Sequence, residues 1–308
     1  MPLPTEYVPP TFHPVPMPVS TSDGLIRYDV RYSLVPGFRP LELDLYVSNE
    51  PVTEPRPLVV WVHGGGYSGG HRRDSAPWIA STERIQKLVR RGFAVASVDY
   101  RLGYEASFPA AVQDLRAALN WLIFHSSQLQ LTTSNIGLWG ESAGAHLAWL
   151  TALTLDNSEF EPKYSAQASS PIEIMAIVDW YGAKNLANIV RPMDGSDESQ
   201  SEARRYPPEF YNLGPERWKD QNWLKIASPN SYLNSTMPPA LVIHGLDDSM
   251  VPYEQSENFV ADALRAGAVI DLVPVPKSEH VWMGVSQEMV EHIVDISIEH
   301  FVKHLWPR

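Results

Sequence analysis

Ser142 stands in Gly140-Glu141-Ser142-Ala143-Gly144, with Asn135-Ile136-Gly137-Leu138-Trp139 ahead of it and His146-Leu147-Ala148-Trp149-Leu150 behind it. The leading stretch reads as a short buried strand and the trailing one as the start of a helix. A serine between them occupies a strand-to-helix turn too sharp for bulky neighbours two positions away on either side. Such a turn lifts the serine oxygen clear of the backbone and aims the next residue's N–H at the same space. The implied chemistry is nucleophilic attack. It needs a base, an acid that orients the base, and donors for a developing oxyanion.

Candidates for each part fall just past predicted strands, where open parallel sheets hold their ligands. After Val62 comes His63-Gly64-Gly65-Gly66-Tyr67. Three glycines let the backbone turn tightly and leave N–H groups facing a site, so Gly65 and Gly66, joined by Ala143, are the oxyanion donors. The stretch lacks the Lys-Ser/Thr or Gly-x-Gly-x-x-Gly spacing of a phosphate loop. His63 precedes the glycines and reads as a brace for the loop. Past strand 240–244, Asp247 and Asp248 compete for the acid, with Asp179 at the end of strand 172–180 a further candidate. His280 follows the last predicted strand and is the base, so the chain order is Ser, Asp, His.

Other polar residues read as structural. His292, His300 and His304 ride a solvated face of the terminal helix. The His300/His304 pair lacks the glutamate that His-Glu-x-x-His requires, so no metal is expected. Arg101, in Asp99-Tyr100-Arg101-Leu102, is expected to bond carbonyls or a carboxylate beneath the site. Tyr67, Glu141, Trp180, Tyr181 and Trp282 are the candidate pocket residues.

Eight segments read as strands. Leu25–Ser33 and Leu41–Val47 form an antiparallel pair, the second alternating Leu41, Leu43, Leu45 and Val47 with polar residues. Pro57–Val62 is continuously apolar, as a strand covered on both faces must be. Strands 93–98, 135–139, 172–180, 240–244 and 269–275 then alternate with helices 79–91, 109–129, 143–155, 254–266 and 285–305. This predicts an α/β fold: a mixed, mostly parallel eight-stranded sheet with helices on both faces. The interval after strand 172–180 is too long for a crossover, so residues 185–236 read as a small cap. Its Tyr206, Phe210, Tyr211, Trp218 and Trp223 serve equally well as cap core or pocket lining. Residues 1–24 form a proline-rich arm and 25–308 the catalytic domain.

Bulk properties exclude several classes. Apolar content of 44% with 19% charged residues is that of a soluble globular chain. A net charge of −12 would be repelled by phosphate, which argues against nucleic acid or an anionic membrane as partner. The absence of cysteine rules out disulfides, thiolate metal sites and a cysteine nucleophile. No apolar run is long enough to span a bilayer and no signal-peptide pattern is visible, so a cytoplasmic location is expected.

Taken together, these residues resemble the α/β-hydrolase superfamily and, within it, the hormone-sensitive-lipase-like esterases. The resemblance rests on His63-Gly64-Gly65-Gly66, Asp99-Tyr100-Arg101-Leu102, Phe108-Pro109-Ala110-Ala111, Gly140-Glu141-Ser142-Ala143-Gly144, His244-Gly245 with Asp248 and Val251-Pro252, and His280. It implies a cofactor-free carboxylic ester hydrolase acting on a small-molecule ester. It selects Asp248 over Asp247, because the family's acid stands third after the His-Gly glycine with Val-Pro three residues beyond. Gly103-Tyr104-Glu105 replaces the usual Ala-Pro-Glu, and the arm replaces the usual N-terminal cap helices. Asp179-Trp180-Tyr181-Gly182 looks more like feruloyl and acetyl-xylan esterase-like relatives. Short-chain or aryl esters are the expected substrates, with an arylformamidase-like amide hydrolase as the alternative and a homodimer possible. A non-catalytic ligand receptor of this fold is the remaining alternative, and the retained His280 argues against it.

Overall fold

Alternation along the central strands decides how the layers form. In β4 (Arg56–Val62) every residue is buried, with Leu58, Val60 and Val62 entering one apolar cluster and Val59 and Trp61 the other. A strand of period two can do this only if helices cover both faces. The computed structural model describes residues 14–189 and 207–306. Residues 1–13 of the expected arm, and residues 190–206 of the expected cap with Tyr206, lie outside the described residues.

An antiparallel side holds β1 (Val19–Ser20), β2 (Leu25–Ser33) and β3 (Leu41–Ser48). The parallel part holds β4, β5 (Ala94–Val98), β6 (Leu131–Glu141), β7 (Ile174–Trp180), β8 (Ala240–Gly245) and β9 (Ile270–Val275). Among the described residues the sheet thus has nine strands, ordered β1-β2-β3-β5-β4-β6-β7-β8-β9. The sequence pattern predicts eight. The ninth, β1, is two residues of the proline-rich arm pairing Val19 with Arg27 and Ser20 with Ile26. A two-residue strand has no alternation to read.

Helices α1 (Pro77–Ala80) and α2 (Arg84–Arg90) replace the single helix expected over 79–91, because Glu83 between them is left-handed at φ 52°. Helix 109–129 likewise divides into α3 (Ala110–Phe124) and α4 (Ser126–Leu129) at His125. The other helices are α5 (Ala143–Leu153), α6 (Pro208–Leu213), α7 (Gln221–Ile226), α8 (Glu254–Arg265) and α9 (Gln287–Leu305). Side chains of α3, α5 and α8 fill one face of the sheet, and those of α2 and α9 fill the other. Between β7 and β8, α6, α7 and the turn joining them carry Tyr211, Trp223 and Trp218, all packed against the main core.

Because β4 lies between β5 and β6, the chain leaves it in opposite directions, and a crevice opens beyond its carboxyl end. The loops after β4 and β6 meet there. Arg101 pins the neighbouring loop after β5 through a 2.7 Å ion pair with Asp114 of α3 and a 3.3 Å bond to the Ala110 carbonyl. Asp114 is almost fully buried, so Arg101→Ala strands a carboxylate. Urea denaturation is expected to show a loss of about 3–5 kcal/mol.

Candidate active site

Ser142 occupies the junction of β6 and α5 with φ 50° and ψ −121°, a conformation costly for any residue with a Cβ. Its neighbours explain why the chain can adopt it. A Cβ on Gly140 would lie 2.5 Å from Ala145 Cα, and one on Gly144 would strike the Val62 and His63 carbonyl oxygens. Only glycine at both places lets the helix start this close to the sheet. Tyr67, Tyr181, Val281 and Trp282, all in loops at this end of the sheet, also have positive φ. Strain concentrated here marks backbone held in place by its surroundings.

Three loops converge on the serine. His280 Nε2 lies 3.0 Å from Ser142 Oγ, and His280 Nδ1 lies 2.7 Å from Asp248 Oδ2. A carboxylate can only accept, so Nδ1–H donates and Nε2 presents its lone pair to the serine hydroxyl. The other carboxylate oxygen, Oδ1, accepts from the N–H groups of Met250 at 2.9 Å and Val251 at 2.8 Å. Burial opposes ionisation of Asp248, but hydrogen bonds from His244 and His280, the His280 charge and the Val251 N–H outweigh it. Its pKa is held well below the usual carboxylate range. Asp247, by contrast, is exposed and donates its N–H to the Ser278 carbonyl at 3.0 Å. Asp179 is committed elsewhere, to the Gly182 N–H, the Trp149 indole and Lys184.

The glycine loop after β4 turns through positive φ at Gly65 (110°) and Gly66 (58°). The Gly65 carbonyl accepts from Ser68 and Gly69, which closes the turn. Among the described residues no acceptor is recorded for the N–H of Gly65 or Gly66. Ala143 opens α5, whose first intrahelical bond is His146 N–H to Ser142 C=O, so its N–H has no helical acceptor either.

Residues 43–263 match the family model described as BD-FAE. The chain belongs to the BD-FAE family. Its fold is that of the α/β-hydrolases. Esterase LipQ of Mycobacterium tuberculosis is 28% identical over 256 residues, covering 82% of this chain and 56% of LipQ. Human hormone-sensitive lipase is 34% identical over 153 residues, covering 47% of this chain and 14% of the lipase. The chain therefore spans little more than half of LipQ. A truncated carbohydrate esterase from gut microbiota has a TM-score of 0.72 at 24% identity, covering 94% of this chain and 100% of that one.

Within this BD-FAE frame the expected pocket residues are placed as supports. Trp180 ends β7 on the α9 face, edge-on to Trp61 and Trp139, and gives its indole N–H to Ser297 at 3.0 Å. Trp282 packs edge-on to Trp180 and Tyr181 inside the same cluster. Strand alternation, which the aromatic count does not convey, turns the Trp180 indole into the core, and Trp282, in the loop after β9, is buried against it. Tyr181 packs 4.7 Å from the His280 ring and donates its hydroxyl to Glu141 at 2.9 Å. The other Glu141 oxygen accepts the Gly64 N–H at 3.3 Å, so Glu141 ties the tyrosine beside His280 to the glycine loop. Tyr67 is buried against that loop. Burial and then the negative charge of Glu209, in α6, push its phenol well up, so it stays protonated. His63 braces as expected: it stacks on Tyr100 at 4.3 Å, and its Nδ1–H donates to the Gly64 carbonyl at 2.7 Å.

Sequence reasoning missed His146, one turn into α5. It is fully buried, edge-on to Tyr67, and donates Nε2–H to the Ala227 carbonyl at 2.6 Å. His300 is also buried against the Pro239 carbonyl, which corrects its reading as a solvated residue. Burial lowers both pKa values to about 4, with the His304 charge adding to the effect at His300. Each folded value lies below the unfolded value of about 6.5, so the stability it contributes is complete above about pH 6.5. That contribution falls by roughly 1.4 kcal/mol per pH unit per histidine as pH drops toward about 4. His300→Gln is expected to make this fall shallower, as chemical denaturation across that interval will show.

Proposed function

We propose that the protein is a serine carboxylic ester hydrolase working through an acyl-enzyme. The observation that carries the reading is the unbroken line from Ser142 Oγ to His280 Nε2 at 3.0 Å and from His280 Nδ1 to Asp248 at 2.7 Å. His280 takes the serine proton as Ser142 attacks the ester carbonyl. The oxyanion settles among the N–H groups of Gly65, Gly66 and Ala143, each worth roughly 3 kcal/mol in the transition state. His280 then protonates the leaving alcohol, and water repeats the sequence to release the acid. The likeness to esterase LipQ supports the same chemistry.

Short acyl or aryl esters are the proposed substrates, on the likeness of Asp179-Trp180-Tyr181-Gly182 to feruloyl and acetyl-xylan esterase-like relatives. An acyl series from acetate to palmitate, run beside feruloyl esters and N-formylkynurenine, tests this. Acetate or butyrate is expected to give the highest kcat/KM. A maximum at palmitate overturns the substrate class, and a maximum at the formamide overturns ester hydrolysis. A fluorophosphonate probe is expected to label Ser142 and no other residue.

A further inference from the structure

Asp248 is approached by a second histidine that the ester-cleaving line does not use. His244, on β8, is fully buried, and its Nε2 lies 3.2 Å from Asp248 Oδ2 and 2.9 Å from the Val251 carbonyl. Both of those oxygens are acceptors, so Nε2 carries a hydrogen. On the other side of the ring, Nδ1 lies 2.6 Å from Ser256 Oγ in α8. Lys184, fully buried, reaches the same Oγ at 3.4 Å while bonding the Gly182 carbonyl at 2.5 Å and Asp179 Oδ2 at 2.7 Å. An ammonium only donates. Among the described residues, the one acceptor recorded for the Ser256 hydroxyl hydrogen is therefore His244 Nδ1. The chain of donors runs one way: Lys184 to Ser256, Ser256 to His244, His244 to Asp248.

We propose that Lys184 and Ser256 hold His244 as a neutral donor, so that the negative charge of Asp248 is kept for the imidazolium of His280. This rests on the esterase reading above and makes His244 a positioning residue. A second proton on His244 would turn it into a rival cation on the same carboxylate oxygen. The basicity that Asp248 lends His280 would then be shared between two rings. Ser256 blocks this by occupying Nδ1 with a donated hydrogen, and the Lys184 charge opposes any added cation. The charged groups facing His244 are Asp248 from the loop after β8, Lys184 and Asp179 from β7 and its loop, and His280 from the loop after β9. Just before α8 the Tyr253 ring lies 5.8 Å from that of His244, and in the first turn of the helix Glu254 and Glu257 are exposed.

The test is an NMR measurement of imidazole nitrogens at neutral pH on the full chain labelled with ¹⁵N-histidine, with His244 assigned by the signal lost in His244→Gln. The parent is expected to show His244 as the neutral Nε2–H tautomer, with its Nδ1 signal displaced by the hydrogen bond from the Ser256 hydroxyl. Ser256→Ala removes the hydrogen donated to Nδ1, and the Nδ1 signal of His244 is expected to leave its parent position. Ser256→Thr, which restores a hydroxyl, is expected to return that signal to the parent's position. An Nδ1–H tautomer or an imidazolium at neutral pH in the parent overturns the proposal, and so does a Ser256→Ala Nδ1 signal that coincides with the parent's. The nitrogen signals are independent of Ser142, so failure here is distinguishable from failure of the esterase reading, which the fluorophosphonate probe decides.

Discussion

Ser142→Ala is expected to lower kcat on p-nitrophenyl acetate by on the order of 10⁵–10⁶-fold while leaving the fold intact. The side chain is small, and truncating it removes no packed apolar group. Backbone strain at φ 50° is the same for alanine as for serine, so circular dichroism and denaturation midpoint stay close to the parent's. What disappears is the oxygen 3.0 Å from His280 Nε2. His280→Ala is expected to cost a similar factor, and the double variant little more than either alone, because the two act as one nucleophile. Parent-level turnover by Ser142→Ala would place the chemistry elsewhere.

Asp248→Asn is expected to lower kcat by on the order of 10⁴-fold, with Asp247→Asn within a few-fold of the parent. The mechanism is a reversed tautomer. Asp248 Oδ2 receives Nδ1–H of His280 at 2.7 Å, so Nε2 is free to accept the serine proton. The other oxygen takes two backbone N–H donors, which orients an asparagine with its carbonyl toward them and its NH₂ toward His280. His280 must then accept at Nδ1 and carry its hydrogen on Nε2, where it cannot take a proton from Ser142. Asp247 is exposed and touches no part of this line. The depressed pKa of Asp248 also ties it to stability. Its contribution is present above the ordinary carboxylate range near pH 4 and is lost as pH falls below that range. Asp248→Asn is expected to flatten that acid limb of a denaturation series.

The parts legible in the chain were those whose residue types admit few other uses. A serine between Gly140 and Gly144 at a strand-helix junction, three glycines after an apolar strand, and a histidine after the last strand each carry a local steric or chemical demand. The seven parallel and antiparallel strands from Leu41 onward were legible for the same reason, since runs such as Pro57–Val62 fit little but a doubly covered strand. The place of Trp180 was not legible, because a tryptophan at a strand's end fits a pocket wall and a core equally well. Which face Trp180 takes depends on strand phase and on α9, which arrives more than a hundred residues later. His146 was overlooked and His300 was read as solvated because periodicity places a histidine on a face without saying whether that face is covered.

The sequence by itself determined the α/β order of elements, the sharp turn at Ser142 and the glycine loop at Gly65–Gly66, because close approach and positive φ are properties of one or a few adjacent residues. Only the tertiary structure decided how the acid is held. Asp248 accepts from His280, His244, Met250 and Val251, and the donors behind His244 come from α8 and from the loop after β7. Hydrogen-bond direction in such a chain depends on which donors and acceptors are left unused once every neighbour has been placed. No spacing along the chain encodes that count.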